Sequence, residues 1–95
     1  MFEVVLTDEA KEHLRSLRRG KAVAVLNAIE TYLKHEPDQT SKSRIKCLRE
    51  LSQPQYGLRV GEIRVFYDIE ENRVSVLGVV PKSQAERWLK EKGKQ

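Results

Sequence analysis

The sequence has only one cysteine, Cys47, so no disulfide bond can form within the chain. A single thiol is typical of proteins from a reducing compartment, and we therefore expect a cytoplasmic protein. The sequence also lacks a secretion signal and any apolar run long enough to cross a bilayer. These absences predict that the protein does not act in or on a membrane.

No strong excess of one charge is present either. Lysine and arginine number 18 against 14 acidic residues, which gives a net charge of +4 and a pI near 9.4. This mild basic balance favours polyanionic partners, although a solvated basic surface would look the same. A chain of 95 residues with 39% hydrophobic residues predicts one small domain covering residues 1–95.

The first third of the chain predicts a strand followed by two helices. The segment "FEVVL" is β-branched and apolar, and Thr7 can cap the helix that follows it. Gly20 is expected to end that helix, and apolar residues at helical spacing predict a second helix over about 21–35. The polar stretch 35–43 contains a proline and predicts a loop.

In the remainder of the chain the apolar residues recur at the two-residue period of β-strands. "RIKCLREL" is ambiguous but extended in our interpretation, and three strand-like runs with very short links follow it. Ser83 and Glu86 match a capping box, which predicts that the last helix begins there. The predicted order β-α-α-β-β-β-α describes an α+β domain with a mainly antiparallel sheet.

The stretch "YGLRVGEIRVFYDI", residues 56–69, carries the most specific pattern. A two-residue turn at Gly61-Glu62 places Arg59 directly opposite Arg64 on the neighbouring strand. Two like charges on one rung cost free energy, and paired guanidinium groups suit the oxygens of a phosphate. We therefore expect an anion site, with the alternative that the two side chains splay apart or pair with Glu62 and Asp68.

The same register divides the hairpin into two faces. The core face, on which the two N-terminal helices should pack, is expected to contain Tyr56, Leu58, Val60, Ile63, Val65, Tyr67, Ile69, Val74, Val76 and Val80. The opposite face is expected to contain Gly57, Arg59, Arg64, Phe66, Asp68, Ser75, Leu77 and Val79. The arginines would then lie beside a partly apolar floor.

Further cationic and aromatic residues are candidates for the same site. Lys82 follows the last strand at the edge of the arginine face. Arg44, Lys46 and Arg49 can extend the basic surface as RNA-binding residues. Trp88 either stacks on a base or anchors the last helix in the core.

The element order, the opening "VVLTDEAKEHLRSL" and "YGLRVGEIRVFYDI…RVSVLGVVPKSQAERWL" together resemble the RelE/ParE superfamily of toxins. The resemblance covers nearly the whole chain, and it implies a RelE-like fold and a type II toxin that an antitoxin chain wraps, in a possible hetero-oligomer. RelE-like members cut mRNA at the ribosome without metal or cofactor. ParE-like members instead poison DNA gyrase, and an inactive relative that only binds its antitoxin is a third alternative.

The resemblance also implies residue roles. Arg64 matches the arginine that contacts the scissile phosphate, and Lys82 falls where RelE-like members have a second arginine; with Arg59 they form our predicted catalytic set. Trp88 replaces a tyrosine that takes part in proton transfer, and Gly57 falls near the position of the lysine general base. We expect neither His13 nor His35 to replace that base, since both belong to the helical pair on the opposite side of the sheet.

Overall fold

The computed structural model describes residues 1–40, 44–48 and 53–92. Its helices are α1 (Asp8–Ser16), α2 (Arg19–Ala28), which continues as a π-helical turn (Ile29–Leu33), and α3 (Lys82–Lys92). Its strands are β1 (Glu3–Leu6), β2 (Ile45–Cys47), β3 (Tyr56–Val60), β4 (Ile63–Glu70) and β5 (Arg73–Pro81). Among these helices none is long and apolar enough to cross a lipid bilayer. The predicted α+β fold is confirmed, with β2 as an additional short strand.

The five strands form one sheet in the order β1-β5-β4-β3-β2. Only the β1–β5 pair is parallel, and the other three pairs are antiparallel. Gly61 turns the β3–β4 hairpin with φ +58°, a left-handed value that favours glycine. This turn sets the predicted register, in which Val60 pairs with Ile63 and Arg59 with Arg64.

One side of the sheet packs against α1, α2 and the π-helical turn. These helical elements contribute Ala10, Val25, Ala28, Ile29 and Leu33 to the main core. Leu58, Val65, Tyr67, Val74 and Val76 reach the same core from the strands. The packing of the N-terminal helices on the predicted core face is therefore confirmed.

The helix boundaries differ from the prediction at two places. The first helix ends at Ser16 and the second begins at Arg19, so Gly20 lies inside α2 and does not end α1. The last helix begins at Lys82 directly after β5, so Ser83 lies within its first turn and the predicted capping box is wrong. The amide of Lys82 donates to the Glu62 carbonyl (2.7 Å), which holds this first turn against the β3–β4 hairpin.

A β-bulge corrects the predicted face of two residues in β5. The pairing shifts between Phe66, which pairs with Gly78, and Tyr67, which pairs with Val76, so Leu77 is the extra residue. The bulge reverses the alternation of side chains beyond it. Val79 therefore lies in the main core and Val80 on the opposite side with Phe66, the reverse of our prediction.

Tyr67 ties the sheet to the loop after the helices. Its buried hydroxyl donates a hydrogen bond to the Pro37 carbonyl (2.6 Å). Burial, together with nearby Tyr56 and Asp38, raises the pKa of Tyr67 above its usual range. The phenol therefore stays protonated and remains a donor.

Replacing Tyr67 with phenylalanine should lower the free energy of unfolding by about 1–3 kcal/mol, because the buried Pro37 carbonyl loses its donor. Urea denaturation monitored by circular dichroism measures this change. Tyr56→Phe is the matched control, since that half-buried ring stacks on Tyr67 (centroids 5.5 Å apart) and keeps this contact without its hydroxyl. Equal stability losses in the two variants would contradict the assignment.

Candidate functional site

Arg59 and Arg64 lie side by side on the face of the sheet that α1 and α2 leave uncovered. Arg64 Nη1 donates to the carbonyls of Gly61 (2.9 Å) and Ile63 (3.1 Å), which fixes the guanidinium beside the hairpin turn. Within residues 1–40, 44–48 and 53–92, neither arginine has a carboxylate partner within ion-pair distance. The predicted neighbouring positions are confirmed.

Asp68, one of the two carboxylates that the alternative assigned to these arginines, is engaged elsewhere. It accepts hydrogen bonds from the side chain of Gln53 (2.8 Å) and the backbone of Gln55 (2.7 Å). The alternative pairing of the two arginines with Asp68 or Glu62 is therefore absent among the ion pairs of the described residues. Their positive charges remain available to an external anion.

The two arginines form part of a cavity of about 410 Å³, which we call the basic cleft. Its cationic members are Arg44, Lys46, Arg59 and Arg64, and its apolar and small members are Ile45, Leu48, Gly57, Phe66, Ala85 and Leu89. Four cationic side chains around an apolar floor suit a ligand with an anionic backbone and flat apolar groups. The structure therefore brings together four of the predicted site residues.

The π-helical turn supports one wall of the basic cleft. The guanidinium carbon of Arg44 lies 4.9 Å from the centre of the Tyr32 ring, within the range of a cation–π contact. Insertion of one extra residue per turn rotates the side chains of a π-helix relative to a regular helix. The contact connects the end of the helical pair with Arg44, one of the cationic members of the basic cleft.

Helix α3 forms another wall of the basic cleft and packs Trp88 against Phe66 of the sheet. The indole stacks on Phe66 (centroids 5.2 Å apart, planes at 12°) and is only 7% exposed. Gly78 makes this packing possible, because a Cβ there would lie 2.4 Å from the indole ring. The geometry supports the anchor interpretation of Trp88, since the buried ring does not present a face for a base.

The remaining predicted residues lie outside the basic cleft or outside the described part. Lys82 is exposed at the start of α3, beside the hairpin turn and not among the lining residues. Arg49 lies outside the described residues. Lys82 is therefore a neighbour of the Gly61-Glu62 turn and lies outside the lining of the basic cleft.

Groups for proton transfer are scarce in the basic cleft. Gly57 has no side chain, and a Cβ there would lie 3.2 Å from the Phe66 ring. Tyr67 is buried in the core, and His13 Nδ1 accepts a hydrogen bond from the Val79 amide (3.0 Å) near α3. The arrangement can bind and neutralise phosphate charge, while its described lining residues include no histidine, carboxylate or tyrosine. No group of three metal-ligating residues occurs in the described ranges.

Sequence reasoning missed the wall that α3 builds. The apolar edge of the last helix was visible as Ala85, Trp88 and Leu89, but nothing local showed which side of the sheet it would cover. Tyr32 lies within the segment predicted as the second helix, and its contact with Arg44 joins residues that are far apart in the sequence. Both features depend on tertiary packing and have no signature in a short window of sequence.

Residues 4–86 match the family model described as "ParE toxin of type II toxin-antitoxin system, parDE". This match covers most of the chain. Among curated proteins, no sequence matches significantly.

Solved structures of similar fold include toxins in complex with antitoxins. The archaeal RelE–RelB complex from Pyrococcus horikoshii OT3 matches with a TM-score of 0.71 and 21% identity, over 87% of this chain and 97% of that one. The RelBE2 toxin–antitoxin complex from Mycobacterium tuberculosis matches with a TM-score of 0.67 and 22% identity, over 84% and 96%. The YoeB–YefM complex from Staphylococcus aureus matches with a TM-score of 0.63 and 15% identity, over 84% and 95%.

Proposed function

Because the chain belongs to the ParE toxin family of type II toxin–antitoxin systems, within the RelE/ParE superfamily, we propose that its basic cleft binds mRNA on the ribosome and cleaves it. The observation that carries this proposal is the rung of Arg59 and Arg64, two guanidinium groups without a carboxylate partner in the described ranges. Such a pair complements a phosphodiester and stabilises the extra charge of its transition state.

The cleavage that fits this site uses the RNA itself as nucleophile. The 2′-oxygen attacks the adjacent phosphorus and loses its proton, and the 5′-oxygen leaves and gains a proton. Arg59 and Arg64 would neutralise the negative charge that develops on the phosphate oxygens. Lys82, exposed beside the Gly61-Glu62 turn, is the candidate for proton transfer, and the ribosome would hold the message in the reactive geometry.

A second candidate function is that of a toxin that binds DNA gyrase without cutting nucleic acid. The observation that favours it is the scarcity of proton-transfer groups in the basic cleft. Gly57 and the buried Trp88 fall at the positions where RelE-like enzymes have a lysine and a tyrosine. The name of the matching family model agrees with this alternative. An inactive relative that only binds its antitoxin would carry neither activity.

One pair of assays separates these functions. Protein added to a translating extract should produce mRNA ends in phase with codons, mapped by primer extension. The gyrase alternative predicts instead covalently trapped gyrase on cleaved plasmid DNA and intact mRNA. Absence of both effects, with no slowing of growth on expression, would indicate the inactive relative and overturn our proposal.

We further propose that an antitoxin encoded with this toxin binds it in the cytoplasm. Several of the similar solved structures are complexes of two proteins, among them the RelBE2 toxin–antitoxin complex, which supports a protein partner of this kind. Co-expression with the neighbouring open reading frame should restore growth, and the two chains should copurify. Growth arrest that persists with every adjacent gene would contradict this partner.

A further inference from the structure

Helix α3 forms one wall of the basic cleft. It has 11 residues and contributes Ala85 and Leu89 to the cleft lining. Trp88 fixes its middle by stacking on Phe66. Beyond Trp88 the helix continues to Lys92, so a second attachment is needed to set the direction in which the helix leaves the sheet.

Glu9, in the first turn of α1, provides that second attachment. One carboxylate oxygen accepts from the indole nitrogen of Trp88 (2.9 Å), and the other accepts from Lys92 Nζ (2.6 Å). Trp88 and Lys92 are one helical turn apart, so the two oxygens engage two successive turns of α3. Glu9 therefore connects α1 with a residue of α3 that lies 79 positions later in the sequence.

The position of Glu9 is itself fixed by the sheet. The Thr7 hydroxyl donates to the Val76 carbonyl of β5 (3.0 Å) and accepts from the Ala10 amide (3.1 Å), which caps α1. The first turn of α1 is thus held against β5, and Glu9 projects from it toward α3. A continuous series of contacts runs from β5 through α1 to the wall of the basic cleft.

Electrostatics keep Glu9 in the form that these contacts need. Partial burial would raise the pKa of Glu9, but hydrogen bonds from Lys92 and Trp88 and the charges of Lys92 and His13 lower it below its usual value. The carboxylate is therefore ionised at neutral pH and can accept both hydrogen bonds. A charge-assisted hydrogen bond from a buried indole is stronger than an exposed ion pair.

We propose that Glu9 is a positioning residue, which orients α3 so that Ala85 and Leu89 stand over the arginines of the basic cleft. Glu9 does not line the cleft itself. The predicted effect on mRNA cleavage rests on the proposed function, whereas the predicted effect on α3 does not.

The chain offers a matched control on the same helix. Glu12 pairs with Arg15 (2.6 Å) within α1, and both side chains are largely exposed. Glu9→Ala and Glu12→Ala thus remove the same charge from the same helix. Only Glu9→Ala removes an attachment of α3.

Three measurements test the proposal. In Glu9→Ala, hydrogen-exchange protection of the α3 amides should fall by about tenfold or more, the size expected when a hydrogen bond to a charged group is lost. Acrylamide should quench the single tryptophan, Trp88, more strongly. Energy transfer from Trp88 to an acceptor on the single cysteine, Cys47 of β2, should change, because it reports the distance between β2 and α3.

Activity then separates positioning from a merely structural role. Glu9→Ala should raise the KM for message-bearing ribosomes several-fold and leave kcat nearly unchanged, because the arginines remain in place. Glu9→Gln keeps an oxygen for the indole and loses the charge, so it should lie between the wild type and Glu9→Ala. Glu12→Ala should resemble the wild type in every measurement.

Two outcomes would overturn the proposal. The first is unchanged exchange protection and energy transfer in Glu9→Ala; if that variant fails to fold, Lys92→Met supplies the same test in the folded protein. The second is loosening of α3 with unchanged KM in an active enzyme. If the wild type does not cut mRNA, the proposed function fails, while the exchange and energy-transfer data still decide whether Glu9 holds α3.

Discussion

Arg64→Ala should reduce ribosome-dependent mRNA cleavage by about 10²–10³-fold, the usual cost of removing one group that stabilises a transition-state charge. The guanidinium lies beside Arg59 in the basic cleft, and two backbone carbonyls orient it. Its removal leaves Arg59 as the remaining guanidinium of the pair. The loss should appear mainly in kcat, because the charge on the phosphate grows in the transition state. Single-turnover cleavage on purified, message-bearing ribosomes measures it.

The fold should tolerate this change. Arg64 is half-buried at the cleft surface, and substitutions at such sites usually alter stability by about 0.5 kcal/mol or less. Arg73→Ala is the matched control, since Arg73 is an exposed strand arginine whose nearest carboxylate is Glu3 (3.6 Å) at the far edge of the sheet. Equal cleavage by Arg64→Ala and the wild type would remove Arg64 from the site.

Trp88→Ala should lower the free energy of unfolding by about 3–5 kcal/mol, as expected for a buried tryptophan. The indole fills the space above Gly78, stacks on Phe66 and donates to Glu9, and all three contacts are lost together. Urea denaturation followed by far-UV circular dichroism measures the change, because the variant has no tryptophan to report fluorescence. Such a loss in a domain of this size leaves little stability.

Trp88→Phe distinguishes the anchor from a base-stacking residue. Phenylalanine keeps a ring against Phe66 and loses the donor to Glu9, so we expect a smaller loss of stability than with alanine. If Trp88 instead served RNA, both variants would keep wild-type stability and lose RNA affinity. That result would contradict the packing described above.

Local sequence rules predicted the hairpin because its register depends on a few adjacent residues. Gly61 supplies the left-handed turn, and alternation of apolar residues along β3 and β4 then determines which residues face each other. The Arg59–Arg64 rung follows directly from that turn. The N-terminal strand and the helical pair were likewise visible as a change in hydrophobic period.

Features that depend on distant partners were beyond such rules. The bulge at Leu77 reverses the faces of Val79 and Val80, and both residues are apolar, so the pattern alone looked continuous. Docking of α3 depends on the space that Gly78 leaves for Trp88, ten residues away. The role of Glu9 required contacts that span 79 residues of sequence.

The central claim is that phosphodiester groups bind across the guanidinium groups of Arg59 and Arg64. Titration of ¹⁵N-labelled protein with a short single-stranded RNA, followed by NMR, tests it without the ribosome. We predict that shifted amides and arginine Nε signals cluster on β2, β3, β4 and the start of α3, and that Arg64→Ala weakens binding. Shifts confined to the exposed surface of α1 and α2, or equal affinity in Arg64→Ala, would contradict the account.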